Sequence, residues 1–540
     1  MPRKMGRIAC PWIITTLLSV VTLASVSNDT QADSEAIWAT HEFNVDRLLR
    51  DSALAMCTSS GQTRGFVPLD YNDPDGPMAA VAMIRVPAKV AVDDPTYKGP
   101  ILINPGGPGG SGVDIVVGLG PTFKLLVGDN FDLIGFDPRG VSRTTPSMLT
   151  FPIAAEGQTF TVERLQDPPL NATVDAIART HARYSVLGSL AAARDLGVVQ
   201  YMTTATVARD MLSIVHAHGL EKLQYYGISY GSVLGLTYAA MFPDKVERMV
   251  VDGVFNATDY YSAQWSSNLR DTDKIPEMFY ETCAQAGPDL CALFAPDSAS
   301  VKARVEALFD SLKRRPIASP PHLQTLRTAR WTTASSTTAL HATAGSQIDT
   351  ETLMAISCTD GDPVSGDLND LDGWFDQLAT TSSCADVFIN HVICSGWTVR
   401  QKERFTGPFV GINTSFPILL VGNTADPVTP LEGAKLMAEG FVNSVLLTQS
   451  SPGHNAFSAT SPCTIAAMAA YFQNGSLPEP GTVCEIEDVM FPPANITKTP
   501  TTGEQTTTIT KRNAQNENMS EKLHKLRTTY KVPKLGSFGF

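Results

Sequence analysis

The sequence predicts an α/β protein with a mostly parallel sheet, helices on both faces and an inserted, mainly helical unit. Short apolar runs without polar alternation, as in residues 99–104 and 131–136, are typical of strands buried on both faces. Segments with helical apolar spacing lie between such runs, as at 206–220. From about 256 to 405 helix-like stretches mix with polar loops, and strand-like runs return at 416–426 and 444–454. This alternation favours a layered α/β architecture with one insertion.

These patterns divide the chain of 540 residues into five parts. They are a signal peptide at 1–27, a first core segment at 28–255, the helical insertion at 256–405, a second core segment at 406–498 and a basic tail at 499–540. The tail is Thr-rich and poor in apolar residues, which predicts disorder.

The N-terminal residues have the layout of a secretory signal. Basic residues at Arg3, Lys4 and Arg7 precede an apolar run from Ile8 to Val26, and small residues follow. The alternative is an uncleaved membrane anchor, which Pro11 and the many Ser and Thr residues disfavour. We therefore expect a secreted protein, or one in another lumenal compartment, without stable membrane insertion after cleavage.

Cysteines and glycosylation sequons agree with export. Eight of the nine cysteines lie beyond the predicted signal, an even number that favours disulfides, and Cys283/Cys291, Cys384/Cys394 and Cys463/Cys484 are plausible pairs. The alternative is that these cysteines are buried free thiols. Acceptor sequons occur at seven asparagines: Asn28, Asn171, Asn256, Asn413, Asn474, Asn495 and Asn518.

Charge and motifs exclude several classes of partner. The net charge is −13, and an acidic chain is a poor candidate for nucleic-acid binding. The glycine-rich loop at 104–112 lacks the Lys-Ser/Thr of a phosphate-binding loop, and no metal-binding motif is present. We expect neither a cofactor nor a metal.

One short motif suggests nucleophilic catalysis. Residues 227–231 read Gly-Ile-Ser-Tyr-Gly, directly after a predicted strand and directly before a predicted helix. That setting is the one that a nucleophile elbow requires, because glycines let the strand and helix approach while the serine stands exposed at the turn. Ser229 is therefore the candidate nucleophile.

A serine nucleophile needs a base and an orienting carboxylate. His454 stands in a Gly-containing turn after a strand-like run, and Asp426 ends an earlier run. Both strand ends are expected at the same edge of a parallel sheet as Ser229, in the chain order Ser, Asp, His. Taken singly, the aspartate could be a turn residue and the histidine a surface residue.

The glycine-rich loop supplies candidate oxyanion donors. An oxyanion hole needs main-chain N–H groups that point at the developing charge. One is expected from Tyr230, which follows the nucleophile, and another from Gly106 or Gly107 in the loop after an earlier strand.

Several longer segments resemble those of secreted tripeptidyl-aminopeptidase and prolyl-aminopeptidase-like α/β-hydrolases, which are serine peptidases. They include NPGGPGGSG, FDLIGFDPRGVSRTTP, YYGISYGSVLG, ISCTDGD and PILLVGNTADPVTPLEGA, between about residues 60 and 490. The resemblance implies the α/β-hydrolase fold, a helical cap formed by the insertion, Ser229, Asp426 and His454 as the triad, and the 104–112 loop as part of the oxyanion hole.

The predicted function is a secreted serine exopeptidase that releases N-terminal residues or short peptides through an acyl-enzyme. Glu277 and Glu281 in the insertion could hold the substrate amine or could be solvated helix residues. One alternative is an esterase or lactonase acting on a small metabolite, because the fold carries many acyl-transfer reactions. The other is a non-catalytic binding protein on the same fold.

Overall fold

The computed structural model describes residues 56–59, 62–315 and 350–491, apart from residues 149, 165 and 196. The predicted signal peptide, the predicted tail and three of the sequons, Asn28, Asn495 and Asn518, lie outside these residues.

The described residues form one sheet of ten strands in the order β1-β2-β3-β5-β4-β6-β7-β8-β9-β10. The strands are β1 Met56–Ser59, β2 Gln62–Pro68, β3 Met78–Val86, β4 Pro100–Asn104, β5 Asp132–Phe136, β6 Leu223–Ile228, β7 Val246–Asp252, β8 Leu419–Ala425, β9 Val445–Pro452 and β10 Val483–Glu485. From β5 to β10 every neighbouring pair is parallel, whereas β3 is antiparallel to both β2 and β5.

The central strands are covered on both faces, as their unalternated apolar sequences predict. Every residue of β4, β5 and β6 is buried. Successive side chains of β6 enter different cores: Tyr225 packs in one cluster with Leu102, and Tyr226 packs in a second with Ile103. Each face of the sheet therefore has its own hydrophobic layer of helices.

Thirteen α-helices accompany the sheet in the described part of the chain. They are α1 Gly112–Val127, α2 Ala154–Arg164, α3 Ala176–Arg194, α4 Thr204–Ala217, α5 Tyr230–Met241, α6 Ala257–Tyr261, α7 Lys274–Ala286, α8 Ser298–Arg314, α9 Thr350–Asp360, α10 Leu368–Thr381, α11 Asn390–Cys394, α12 Leu431–Gly440 and α13 Pro462–Asn474. None of them is both long and apolar enough to cross a membrane. The predicted α/β architecture is confirmed.

Two insertions interrupt the alternation of strand and helix. The first lies between β7 and β8, where α6 to α11 follow one another, within the predicted helical unit at 256–405. The second consists of α2 and α3 between β5 and β6, and the sequence patterns did not predict it as an insertion. The two pack together: a Cβ on Gly188 of α3 would lie 2.2 Å from the carbonyl oxygen of Gly396. The exact domain boundaries stay predictions.

Two disulfides lie within the insertion, and another joins α13 to β10 at the edge of the sheet. Cys283–Cys291 and Cys463–Cys484 form as expected. The expected Cys384–Cys394 pair is wrong, because Cys394 bonds Cys358 with 5.1 Å between their Cα atoms. Cys384 is itself disulfide-bonded. Proximity in sequence was misleading here, since α9 and α11 pack side by side although 36 residues separate the two cysteines.

Candidate active site

Ser229 occupies the sharp turn between β6 and α5. Its backbone has φ 60° and ψ −123°, in the left-handed half of the map that costs a non-glycine residue roughly 1–3 kcal/mol. The neighbouring glycines make the turn possible, because a Cβ on Gly227 would lie 2.4 Å from the carbonyl oxygen of Gly231. Ser229 thus stands at the N-terminus of α5, where the helix dipole favours negative charge.

Asp426 and His454 form a hydrogen-bonded pair. Nδ1 of His454 lies 3.0 and 2.9 Å from the two carboxylate oxygens of Asp426, and both side chains are buried. Asp426 follows β8 and His454 follows β9, so the parallel strands bring together residues 28 positions apart. The carboxylate accepts the Nδ1–H proton, which leaves Nε2 as the lone-pair nitrogen of the neutral ring.

Hydrogen bonds from its own turn hold the Asp426 carboxylate. Oδ1 accepts from the main-chain N–H groups of Val428 and Thr429, each over 2.9 Å, and Oδ2 accepts from the Thr429 hydroxyl over 2.7 Å. The main-chain N–H of Asn455 adds a bond of 3.2 Å. Each of these bonds stabilises the ionised form.

The electrostatics of the pair follow from this arrangement. Burial alone would raise the pKa of Asp426, but the charge of His454 and the hydrogen bonds hold that pKa below its usual value. Burial alone would lower the pKa of His454, but attraction to Asp426 and its hydrogen bond raise that pKa above its usual value. The histidine is therefore a stronger base than a free imidazole.

The end of β7 contacts both the Ser229 turn and the His454 loop. The N–H of Ser229 donates to the carbonyl oxygen of Asp252 over 2.9 Å. A Cβ on the next residue, Gly253, would lie 3.1 Å from Cε1 of His454. Nε2 of His454 is buried and has no hydrogen-bond partner among the described residues.

The glycine-rich loop touches the same turn. A Cβ on Gly106 would lie 2.3 Å from the carbonyl oxygen of Ile228 and 2.8 Å from the main-chain nitrogen of Tyr230. The N–H of Gly106 itself donates to Oδ1 of Asn104 over 2.9 Å. Because that bond engages the N–H of Gly106, the N–H of Gly107 is the remaining candidate of the two donors predicted in this loop.

Comparison with known proteins agrees with the fold and the motifs. Residues 382–484 match the model of a family described as TAP-like protein. The chain is 31% identical over 266 residues to serine protease Hip1 of Mycobacterium tuberculosis, which covers 49% of this chain and 48% of Hip1. The chain thus spans about half the length of Hip1.

The chain is also 27% identical over 461 residues to a tripeptidyl aminopeptidase of Streptomyces coelicolor, and the alignment covers 77% of this chain and 82% of that protein. Carboxylesterase B of M. tuberculosis is 28% identical over 463 residues, and the alignment covers 77% of this chain and 85% of that protein.

The chain has the α/β-hydrolase fold, contains a TAP-like segment and is similar over most of its length to a tripeptidyl aminopeptidase. The predicted resemblance is confirmed by the TAP-like segment and by these relatives. The TAP-like segment contains both Asp426 and His454, whereas Ser229 precedes it.

The two glutamates considered for amine binding lie on the exposed face of α7. Glu277 forms an ion pair with Lys302 over 2.8 Å, and Glu281 is exposed. Among the described residues, neither glutamate makes a hydrogen bond or ion pair with the Ser229 turn or the His454 loop. The geometry thus favours their reading as solvated helix residues.

Of the sequons within the described residues, three present an exposed asparagine: Asn171, Asn413 and Asn474. Asn256 is half-buried, and its side-chain oxygen accepts from the N–H of Asp259 at the start of α6. Glycosylation of these residues stays a prediction.

Sequence reasoning missed three residues that shape the candidate site: Asn104, Asp252 and Thr429. Thr429 stands three positions after Asp426, the spacing at which a side chain can reach back within a turn. Asp252 is a carboxylate at a strand end, the same signal that identified Asp426. No sequence signal distinguished the accepting role of Asn104.

Proposed function

We propose that this hydrolase is a serine exopeptidase that releases N-terminal residues or short peptides through an acyl-enzyme. The observation that carries the proposal is the buried Asp426–His454 pair, whose Nε2 has no hydrogen-bond partner among the described residues and whose loop is joined through Asp252 to the strained turn at Ser229. The similarity to a tripeptidyl aminopeptidase over most of both chains favours a peptide substrate.

In the proposed mechanism Ser229 Oγ attacks the scissile carbonyl carbon while Nε2 of His454 takes its proton. Asp426 orients the ring through Nδ1 and stabilises the imidazolium that forms. The protonated histidine then gives the proton to the leaving amine, and the acyl group stays on Ser229. Water, deprotonated by the same nitrogen, releases the acyl product.

The tetrahedral intermediate carries a negative oxygen that needs donors. We assign these to the main-chain N–H groups of Tyr230 and Gly107. Gly106 has a different role in this proposal: without a side chain, it lets the loop lie against the elbow. Removal of one oxyanion donor typically costs about 10²–10³ in kcat.

The alternative substrate is an ester, which the similarity to Carboxylesterase B favours. The same acyl-enzyme chemistry serves both bonds, so the substrate must be decided by assay. Purified protein is offered peptide–dye substrates with free and with blocked amines, and simple aryl esters. We expect cleavage of the free-amine peptides; cleavage of esters alone would replace the exopeptidase by the esterase.

A pair of serine variants tests the nucleophile in the same assays. Ser229→Ala removes the proposed attacking oxygen and should abolish turnover. Ser189→Ala is the matched control, because Ser189 is an exposed serine on α3. Activity that survives in Ser229→Ala would refute the assignment.

We also propose that the protein works in an oxidising extracellular or lumenal compartment, since three disulfides are present in the described residues. N-terminal sequencing of the exported protein should begin near residue 28, and peptide N-glycosidase should lower its apparent mass. An intact N-terminus on protein recovered from the cell interior would contradict this proposal.

A further inference from the structure

Asp252 is a second buried carboxylate beside the proposed triad, and the mechanism above does not use it. It ends β7, between the strands that lead to Ser229 and to Asp426. Its side chain is fully buried. A buried carboxylate persists only where donors compensate for lost water, so its partners indicate what it holds in place.

The Asp252 side chain bonds the loop that carries His454. Its two oxygens lie 2.9 and 3.2 Å from the main-chain N–H of Ala456, two residues after His454. Oδ2 also accepts from the hydroxyl of Tyr226 on β6 over 2.7 Å. The carboxylate thus connects the histidine loop to the strand that ends at the nucleophile.

The main chain of Asp252 bonds the nucleophile turn itself. Its carbonyl oxygen accepts the N–H of Ser229 over 2.9 Å. Asp252 therefore hydrogen-bonds both the turn that carries Ser229 and the loop that carries His454. Misplacement of a reacting group by about 1 Å can cost about 10²-fold in rate, so this junction is well placed to affect turnover.

Asp252 is also close enough to act through charge. The titratable groups that face it are Tyr226 from β6, His454 from the loop after β9, and Asp426 from the turn after β8. Burial raises the pKa of Asp252 to about 6, against the opposing effect of the Tyr226 and Ala456 hydrogen bonds and of His454. The ionised carboxylate in turn raises the pKa of His454.

We propose that Asp252 is a positioning residue of the active site: it clamps the His454 loop to the Ser229 turn and supplies a second negative charge to the imidazolium. This inference rests on the proposed serine mechanism. It predicts that Asp252 acts on His454 without touching the substrate.

The test measures how fast a fluorophosphonate labels Ser229 as a function of pH, which does not depend on the natural substrate. In this reaction Oγ bonds phosphorus, fluoride leaves and His454 takes the proton, so labelling needs a neutral His454. Asp252→Asn keeps an acceptor for Ala456 but removes the charge. We expect the midpoint of the profile to fall by about one pH unit and the plateau rate to fall about tenfold.

Asp132→Asn is the matched control. Asp132 is also a buried aspartate that accepts from one tyrosine hydroxyl, Tyr97 over 2.8 Å, and from one main-chain N–H, Ala88 over 2.7 Å. It begins β5, at the opposite edge of the sheet from the site. We expect Asp132→Asn to leave the midpoint unchanged.

Tyr226→Phe gives a second, milder variant if Asp252→Asn fails to fold, because it keeps the carboxylate but removes a donor that holds the pKa of Asp252 down. It should slow labelling and lower the midpoint by less than Asp252→Asn does. A profile of Asp252→Asn that superimposes on the wild type, or an equal shift in Asp132→Asn, would overturn the inference. If the wild type is not labelled at Ser229, the proposed function fails first and the inference falls with it.

Discussion

The hydroxyl of Thr429 donates to Oδ2 of Asp426 over 2.7 Å and lies 3.1 Å from Nδ1 of His454. Both oxygens of the carboxylate are therefore engaged: the main-chain N–H groups of Val428 and Thr429 donate to Oδ1, the Thr429 hydroxyl and the Asn455 N–H donate to Oδ2, and Nδ1 of His454 lies within 3.0 Å of both. Such an arrangement fixes the plane of the carboxylate and, through it, the orientation of the imidazole.

Replacement of Thr429 by valine should lower kcat about tenfold with little change in KM. The valine keeps the volume but leaves Asp426 without one charge-assisted bond, which is worth about 1.5–3 kcal/mol. Thr429→Ser keeps the hydroxyl and is the control that should retain most of the activity. Steady-state kinetics of both variants, on whichever substrate the proposed assays identify, measure this difference. A loss in Thr429→Ser as large as that in Thr429→Val, or wild-type kcat in Thr429→Val, would contradict this role of the hydroxyl.

A second prediction concerns the contact between the glycine-rich loop and the elbow. Gly106→Ala places a Cβ where 2.3 Å separates it from the carbonyl oxygen of Ile228, at a φ of 90°. The loop must move away from Tyr230, so we expect kcat to fall by about 10²-fold. Gly118→Ala in α1 is the control, because a Cβ there meets nothing within 4 Å.

The control variant Gly118→Ala should itself change the stability of the protein. Alanine in a helix interior is favoured over glycine by about 0.8–1.0 kcal/mol, so this variant should be slightly more stable and fully active. Thermal melting and the same kinetics measure both variants. A fully active Gly106→Ala would remove the loop from the oxyanion hole.

The sequence was sufficient for the architecture, for Ser229 at a strand–helix turn and for Asp426 and His454 after neighbouring strands, because strand ends and tight turns carry local signals. Unalternated apolar runs identify buried strands, and parallel strands bring their carboxyl ends to one edge. The parts that escaped prediction depend on packing between distant segments. Cys358 pairs with Cys394 because two helices of the insertion lie side by side, and no spacing rule reports that.

The hydrogen bond of the Gly106 N–H is another contact that the sequence does not predict. The sequence places two glycines in the loop but does not show that the Asn104 side chain accepts the N–H of one of them. The helices α2 and α3 were missed for a different reason. Their apolar periodicity is weak, and α3 gains part of its burial from contact with the other insertion, as at Tyr184 and Gly188.

The Cys358–Cys394 disulfide should be the more stabilising of two that can be compared directly. It closes 36 residues, against 8 for Cys283–Cys291, and the entropy of the unfolded chain falls more for a longer loop. Replacing both cysteines by serine should cost about 4 kcal/mol for the first pair and about 2.5 kcal/mol for the second. Urea unfolding of the two double variants measures the difference. A larger loss from the Cys283/Cys291 pair would contradict the prediction.

The last prediction concerns pH and Asp360, a carboxylate buried between α4 and the insertion. It accepts from the hydroxyl and main-chain N–H of Thr204, over 2.6 and 2.9 Å, and from the hydroxyl of Tyr260 over 2.8 Å. Burial nevertheless raises the pKa of Asp360 to about 6 from 3.8. The folded protein therefore binds this proton more tightly than the unfolded chain does.

The sign of the effect follows from that difference. The stabilisation is complete below the unfolded pKa of 3.8 and is lost as pH rises through about 6. A shift of this size corresponds to about 3 kcal/mol. Asp360→Asn cannot titrate, so its free energy of unfolding relative to wild type should improve by about that amount between pH 4 and pH 7. Asp252 titrates in both proteins and cancels from the comparison.

Urea unfolding of wild type and Asp360→Asn at the two pH values measures this change. Tyr260→Phe supplies an internal check, because the Tyr260 hydrogen bond lowers the pKa of Asp360. Without that bond the folded pKa should rise further, and the loss of stability with pH should become larger. If the difference between Asp360→Asn and wild type stays constant from pH 4 to pH 7, Asp360 keeps its charge on folding, and its three hydrogen bonds outweigh its burial.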